Sequence, residues 1–149
     1  MKLRRFECRL ENGRKVVWES IDPDINVIVG DNGTGKTLLL RELNGCVGGF
    51  KSIFSSGETR ISFDVNKSRG QYCYESILSS VRFAKEQGYD AILIDDIELF
   101  LSVQKQINLI AEMREIAQDL QFFISTHSPS IFAKGWQDRI IYMEDLIVD

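Results

Sequence analysis

Gly30-Asp31-Asn32-Gly33-Thr34-Gly35-Lys36-Thr37 decides the fold of this chain. The octapeptide fills every position of the pattern G-x-x-x-x-G-K-[ST]. It follows a β-type run, Ile25-Asn26-Val27-Ile28-Val29, and precedes a helix-type run, Leu38-Leu39-Leu40-Arg41-Glu42-Leu43. A glycine-rich loop in that strand–loop–helix setting is a phosphate-binding loop. Glycine tolerates positive φ, so the backbone can fold around an anion. The N–H groups of the loop and of the helix N-terminus then face the phosphates. Gly30, Asp31, Asn32, Gly33, Thr34 and Gly35 are expected to cradle a nucleotide, with Leu38 beside them at the start of the helix. Lys36 is expected to reach the β- and γ-phosphates, and the Thr37 hydroxyl to ligate Mg²⁺. The blander alternative, a glycine-rich turn before a helix, is disfavoured by the complete pattern.

Working outward, residues 3–10 and 14–21 read as two strands around Glu11-Asn12-Gly13, where Asn-Gly signals a hairpin turn. Asp22-Pro23-Asp24 then breaks the chain. The first helix is expected to end near Asn44-Gly45. Residues 50–69 are weakly patterned, except Ile61-Ser62-Phe63-Asp64-Val65, which alternates as a strand does. From 71 to 87, Tyr74, Ile77, Leu78, Val81 and Ala84 form one helical stripe, ended by Gly88. Ala91-Ile92-Leu93-Ile94 is a continuous apolar strand running into Asp95-Asp96. Residues 104–119 predict a helix with Ile107, Ile110, Met113 and Ala117 on its core face and Leu109 and Ile116 flanking. Gln121-Phe122-Phe123-Ile124-Ser125 is a third such strand, followed by Thr126-His127-Ser128-Pro129. Ile140-Ile141-Tyr142-Met143 is a last strand before an acidic end. Strands alternating with helices predict an α/β fold. A mainly parallel central sheet would be flanked by helices, with an antiparallel β-hairpin at the N-terminus and ligands at the C-terminal ends of the strands. A single domain over residues 1–149 is expected.

The 149 residues match the size of one ordinary domain. With 44% hydrophobic residues the chain can bury a core, and 27% charged suits a soluble protein. A net charge of −4 and a pI of about 5.1 argue against a general grip on nucleic acid, which is a permitted partner but not an indicated one. Lys2, Arg4, Arg5, Arg9, Arg14 and Lys15 form a basic N-terminal section that reads first as a solvated hairpin face. Cys8, Cys46 and Cys73 are unpatterned and form no C-x-x-C, so neither zinc nor a disulfide framework is indicated and a reducing cytoplasm is expected. No apolar run approaches a membrane span, and the N-terminus lacks the apolar stretch of a secretion signal.

An apolar strand ending in Asp is what a phosphate-loop site needs for its second metal contact. Asp95 is the candidate to hold the Mg²⁺ shell. Asp96 points the other way if the strand geometry persists, so it suits a different task, orienting the attacking water or accepting its proton. Glu98 is a longer-reaching substitute. A solvated acidic turn is the plainer alternative for both aspartates. His127, the one histidine, follows a buried-type strand expected to lie alongside the first two. There it could donate a hydrogen bond to the γ-phosphate or to the attacking water.

The Asn32-Gly33 form of the loop, Ile92-Leu93-Ile94-Asp95-Asp96 and Ser125-Thr126-His127-Ser128-Pro129 together resemble ABC-type ATPases. The nearer likeness is to the soluble branch that includes SMC-like, RecF-like and OLD-like proteins, and it covers most of the chain, weakly over 45–70. The resemblance implies ATP and Mg²⁺ as cofactors, Asp95 as the metal-shell aspartate, Asp96 at the catalytic acidic position and His127 as the switch histidine. It also implies a signature of the form S-x-G-[QE] that caps the γ-phosphate of the opposite subunit in a dimer. Ser55-Ser56-Gly57-Glu58 and Ser68-Arg69-Gly70-Gln71 compete for that role. The second immediately precedes the helix 71–87, so Ser68, Gly70 and Gln71 are preferred.

The chain departs from the family pattern in several places. Asp96 stands where the family has Glu, one methylene longer, so slow hydrolysis is expected. No Gln marks the family's Q-loop between Thr37 and Gly70. Residues 38–67 are too few for the usual helical subdomain or a coiled coil, and a nuclease domain after the ATPase is not expected. A compact ATPase core is therefore expected, switching a partner protein or a nucleic-acid process as an ATP-sandwiched dimer. An ATP-dependent dimerising module with little turnover is the alternative. A small-molecule kinase is disfavoured by a 50–70 segment holding only Arg60 and Arg69. A GTPase is disfavoured because Arg69 occupies the Asp position of N-K-x-D.

Overall fold

The computed structural model describes residues 2–30, 35–46, 50–53, 69–95, 103–126 and 139–148. Its elements run β1 (Phe6–Arg9), β2 (Lys15–Trp18), β3 (Ile25–Val29), α1 (Lys36–Cys46), β4 (Phe50–Ile53) and α2 (Arg69–Glu86). They continue with β5 (Ala91–Ile94), α3 (Val103–Ile116), β6 (Gln121–Thr126), β7 (Ile140–Tyr142) and α4 (Met143–Leu146).

Strands β3, β5 and β6 are buried at every residue. A strand covered on both faces needs apolar side chains at both parities, which is why these segments are continuous rather than alternating. They form the middle of a five-stranded sheet in the order β4-β5-β6-β3-β7, parallel throughout. On one face Val27, Ile92, Ile94, Phe122 and Ile124 meet Ile77, Val81 and Ala84 of α2 and Leu109, Ile110 and Met113 of α3. On the other, Ile28, Leu93 and Phe123 meet Leu39, Leu40 and Leu43 of α1, together with hairpin residues and Met143 and Leu146 of α4.

The antiparallel β1–β2 hairpin pairs Phe6 with Trp18 and Arg9 with Lys15. Its turn places Gly13 at φ +86°, a conformation that suits glycine. Trp18 is buried and meets the Phe123 ring edge-on, with centroids 5.7 Å apart at 86°. On the outer face Glu7 accepts from Lys15 and Arg5 at 3.1 Å each. The Lys15 ammonium, then Arg5, hold the Glu7 carboxyl below its usual range. The basic section is thus partly neutralised by its own glutamate.

Helix α2 ends as its glycine predicts. Gly88 sits at φ +77°, and Tyr89 N–H reaches back to the Ala84 carbonyl at 2.9 Å, a Schellman closure. Ile77, Leu78, Val81 and Ala84 of the expected stripe are buried. Three expectations need correction. Helix α3 stops at Ile116, short of 119, because the chain must reverse at Ala117–Leu120 to enter β6. Leu109, expected to flank the core face, is fully buried. The C-terminal segment is not simply an acidic end. Met143 and Leu146 lie one helical turn apart and are both buried, so the short α4 packs down through them while Glu144 and Asp145 between them stay exposed. Strand β4 was not legible in the sequence. Four residues at a sheet edge are held by the backbone ladder to β5 and need no pattern. The alternating segment 61–65 lies outside the described residues.

Candidate functional site

The site is built at the C-terminal end of the sheet, in the α1 layer. Strand β6 lies between β3 and β5, so the end of β6 separates the end of β3 at Val29 from Asp95. Side chains alternate along a strand. Asp95 therefore shares a face with Leu93, and Ser125 with Phe123, and that face is the one α1 covers. The first turn of α1 brings Thr37 to the same place.

There the Thr37 hydroxyl lies 2.9 Å from Asp95 Oδ2 and 3.1 Å from Oδ1. Ser125 Oγ donates to Oδ1 at 2.7 Å. Asp95 is 1% exposed. Two hydroxyls are its partners among the described residues, and neither carries a charge. Burial of a carboxylate calls for a compensating charge.

Lys36, the first residue of α1, is 5% exposed, and its ammonium donates to the Gly30 carbonyl across the loop. Gly35 closes the loop at φ +99° and its carbonyl accepts from Leu39 N–H at 2.9 Å, the first bond of the helix. A Cβ at Gly35 would lie 3.1 Å from Leu10 Cδ1 and 3.7 Å from Asn12 Nδ2, so the hairpin tip buttresses the loop. Neither α1 nor α2 carries an acidic residue in its first turn, which leaves both helix N-termini electrostatically open to an anion.

These donors suit Mg²⁺. The Thr37 hydroxyl gives its proton to Asp95 and keeps its lone pairs. The two hard oxygens stand 2.9 Å apart, about the spacing of neighbouring ligands around that ion. Among the described residues no group of three or more His, Cys, Asp or Glu could hold a metal by itself. Mg²⁺ in phosphate sites takes one or two protein oxygens, the remainder coming from phosphate and water.

The structure brings together Gly30, Gly35, Lys36, Thr37 and Asp95. Leu38 follows in the same helical turn, half-buried. Gly70 and Gln71 fall in the first turn of α2. That helix connects the parallel strands β4 and β5, so it runs against them and starts at the C-terminal edge of the sheet, in the layer opposite α1. Asp31, Asn32, Gly33, Thr34, Ser68, Asp96, Glu98, His127 and the competing segment 55–58 lie outside the described residues. Sequence reasoning quoted Ser125 without a role. Its only signal was a polar residue closing an apolar strand.

This is the fold of the ABC-type ATPases: a parallel sheet layered by helices, with an antiparallel hairpin at the N-terminus. CbiO1 from Clostridium perfringens, part of the ABC transporter complex CbiONQ, superimposes with a TM-score of 0.60 at 14% identity, covering 87% of this chain and 79% of its own. A nucleotide-free ATP-binding cassette from an ABC transporter gives a TM-score of 0.59 at 11% identity, covering 100% of this chain and 90% of its own. No family model and no curated protein matches the sequence. Among the described residues no helix is long and apolar enough to cross a membrane.

Proposed function

We propose that this chain is a magnesium-dependent ATPase core of the ABC type, with residues 1–149 acting as one domain. The observation that carries the reading is the Thr37 hydroxyl seated on the buried Asp95 carboxylate, next to Lys36 at the open end of α1. When bound, ATP and Mg²⁺ supply the phosphoanhydride and the Lewis acid. The chain's own groups bind and orient. The loop from Gly30 to Gly35 would supply N–H donors to the phosphates, and Lys36, which donates to the Gly30 carbonyl here, would supply the charge that compensates them. Thr37 and Asp95 hold the metal. Asp96 accepts the proton of the attacking water, Glu98 being the longer-reaching substitute, and His127 donates a hydrogen bond on the γ-phosphate side.

The shared fold of the ABC cassettes supports the class. The Asn32-Gly33 loop and the Ser125–Pro129 run support the soluble SMC-, RecF- and OLD-like branch. The working unit would be a homodimer around two ATP molecules, acting on a further protein in the cytoplasm. CbiO1, as part of a multi-subunit complex, is a precedent for such an assembly. One residue favours a second reading: Asp96, a methylene shorter than Glu, suits an ATP-gated dimeric module with little turnover.

ATP titration by calorimetry, with and without Mg²⁺, beside a phosphate-release assay tests both. Mg²⁺-dependent binding with phosphate release is expected. Binding without release supports the gated module, and transfer to an added acceptor would make the chain a kinase. Absence of Mg²⁺-dependent nucleotide binding would overturn the reading.

A further inference from the structure

We infer that Ser125 is a positioning residue that sets the plane of the Asp95 carboxylate for its metal. The inference rests on the magnesium–nucleotide role proposed for Thr37 and Asp95. Asp χ2 is a broad, two-fold torsion, so a buried Asp is not oriented by its own rotamer. Here two hydroxyls from different elements hold it. Ser125 Oγ, on the central strand β6, takes Oδ1 at 2.7 Å. Thr37 Oγ1, on α1, comes nearest to Oδ2, at 2.9 Å. A hydroxyl has one proton to give. Thr37 Oγ1 lies nearer Oδ2 than Oδ1, 2.9 against 3.1 Å, so the two hydroxyls grip the carboxylate mainly by different oxygens and restrict its rotation about χ2. Ser125 is fully buried. Its backbone pairs with β3 opposite Ile28, one residue beyond the end of the β5–β6 ladder at Ile124. The strand that separates the two halves of the site thereby also couples them.

Loss of such a hydrogen bond behind a metal carboxylate typically weakens the metal about 10- to 100-fold. The test is a Mg²⁺ titration of fluorescent-ADP binding to the full chain, read for wild type, Ser125→Ala, Ser125→Cys and Ser125→Thr. ADP avoids turnover. Ser125→Ala should raise the half-saturating Mg²⁺ concentration by about tenfold or more while nucleotide affinity without metal stays within about twofold of wild type. Ser125→Cys, a weak donor of similar volume, should fall between. Ser125→Thr keeps the hydroxyl and should restore the wild-type midpoint. An unchanged midpoint in folded Ser125→Ala would overturn the inference. So would equal losses with and without metal, or unfolding of both the Ala and Cys variants, since a structural group does only that. If wild type itself binds ADP with no Mg²⁺ dependence, the proposed function falls first. If wild type responds to Mg²⁺ and Ser125→Ala responds alike, only the positioning role falls.

Discussion

Lys36, Thr37 and Asp95 divide the work of one small polar cluster inside an apolar fold. Lys36→Ala removes the charge-assisted contacts to phosphate, each about 1.5–3 kcal/mol, so nucleotide affinity should drop at least about tenfold with the fold intact. Calorimetry beside a thermal melt checks both halves, and a folded mutant with wild-type affinity would unseat the loop assignment. Asp95→Ala should abolish the Mg²⁺ dependence of nucleotide binding. Asp96→Asn should bind ATP normally and lose phosphate release; if Glu98→Gln loses it instead, the base is Glu98. Gly35→Ala forces a side chain to φ +99° and 3.1 Å from Leu10 Cδ1. That conformation costs about 1–2 kcal/mol, read as a lowered melting temperature together with weaker nucleotide binding. Thr37 and Asp95 were legible in the sequence because each belongs to a local pattern, a loop and a strand end. Ser125 was not. A serine at the end of an apolar strand has no visible task until the fold brings its hydroxyl to 2.7 Å from the carboxylate that follows β5. The Leu10 and Asn12 contact with Gly35 was equally hidden, because it joins two segments through tertiary packing alone.

The elements are locked to one another at the sheet's N-terminal edge, far from the phosphate loop. Gln121 opens β6 fully buried. Its Nε2 donates to the Leu3 and Asp22 carbonyls and its Oε1 accepts from Leu3 N–H, all at 2.8 Å. Asn26 Nδ2 donates to the Asp22 carbonyl at 2.8 Å, Arg114 of α3 pairs with Asp24, and Arg139 pairs with Asp22. Gln121→Leu would take the side-chain partner from the Leu3 N–H and carbonyl and leave the Asp22 carbonyl with Asn26 alone among the described residues. It should cost at least about 1–3 kcal/mol, seen as a lower urea midpoint. Trp18→Ala removes the ring that seats the hairpin on Phe123 and should cost about 3–5 kcal/mol. A cost below about 1 kcal/mol, the range of ordinary surface substitutions, would mean the hairpin is an appendage rather than part of the core. The core elements could be read in advance where burial imposes a pattern: the three continuous strands, the Asn-Gly turn and the α2 stripe. The edge strand β4 and the short α4 could not, because the first is held by backbone bonds and the second by two side chains whose partners are distant in sequence.

At the scale of the whole molecule, the two helix N-termini suited to an anion open at the same edge of the sheet but in opposite layers. Helix α1 packs with the hairpin on one face, and α2 packs with α3 on the other. If Lys36 holds a γ-phosphate, the start of α2, with Gly70 and Gln71 in its first turn, would then face it from a second copy rather than from the same chain. A two-fold axis relating two copies would satisfy both sites at once. Each site would join Gly30–Thr37, Asp95 and His127 of one copy to Ser68, Gly70 and Gln71 of the other. Since the contact is to the γ-phosphate, ATP should favour the dimer and ADP should not. The expected result is a doubled mass in solution for Asp96→Asn with Mg-ATP, slow turnover keeping the complex assembled, and a monomer with Mg-ADP. Ser68→Arg should abolish the doubling and leave ATP binding to the monomer unchanged. A monomer at high concentration with ATP bound would reject the sandwich. Doubling that survives Ser68→Arg but fails with Ser55→Arg would move the signature to Ser55-Ser56-Gly57-Glu58. The start of α2 would then be an ordinary helix end, capped by Ser68.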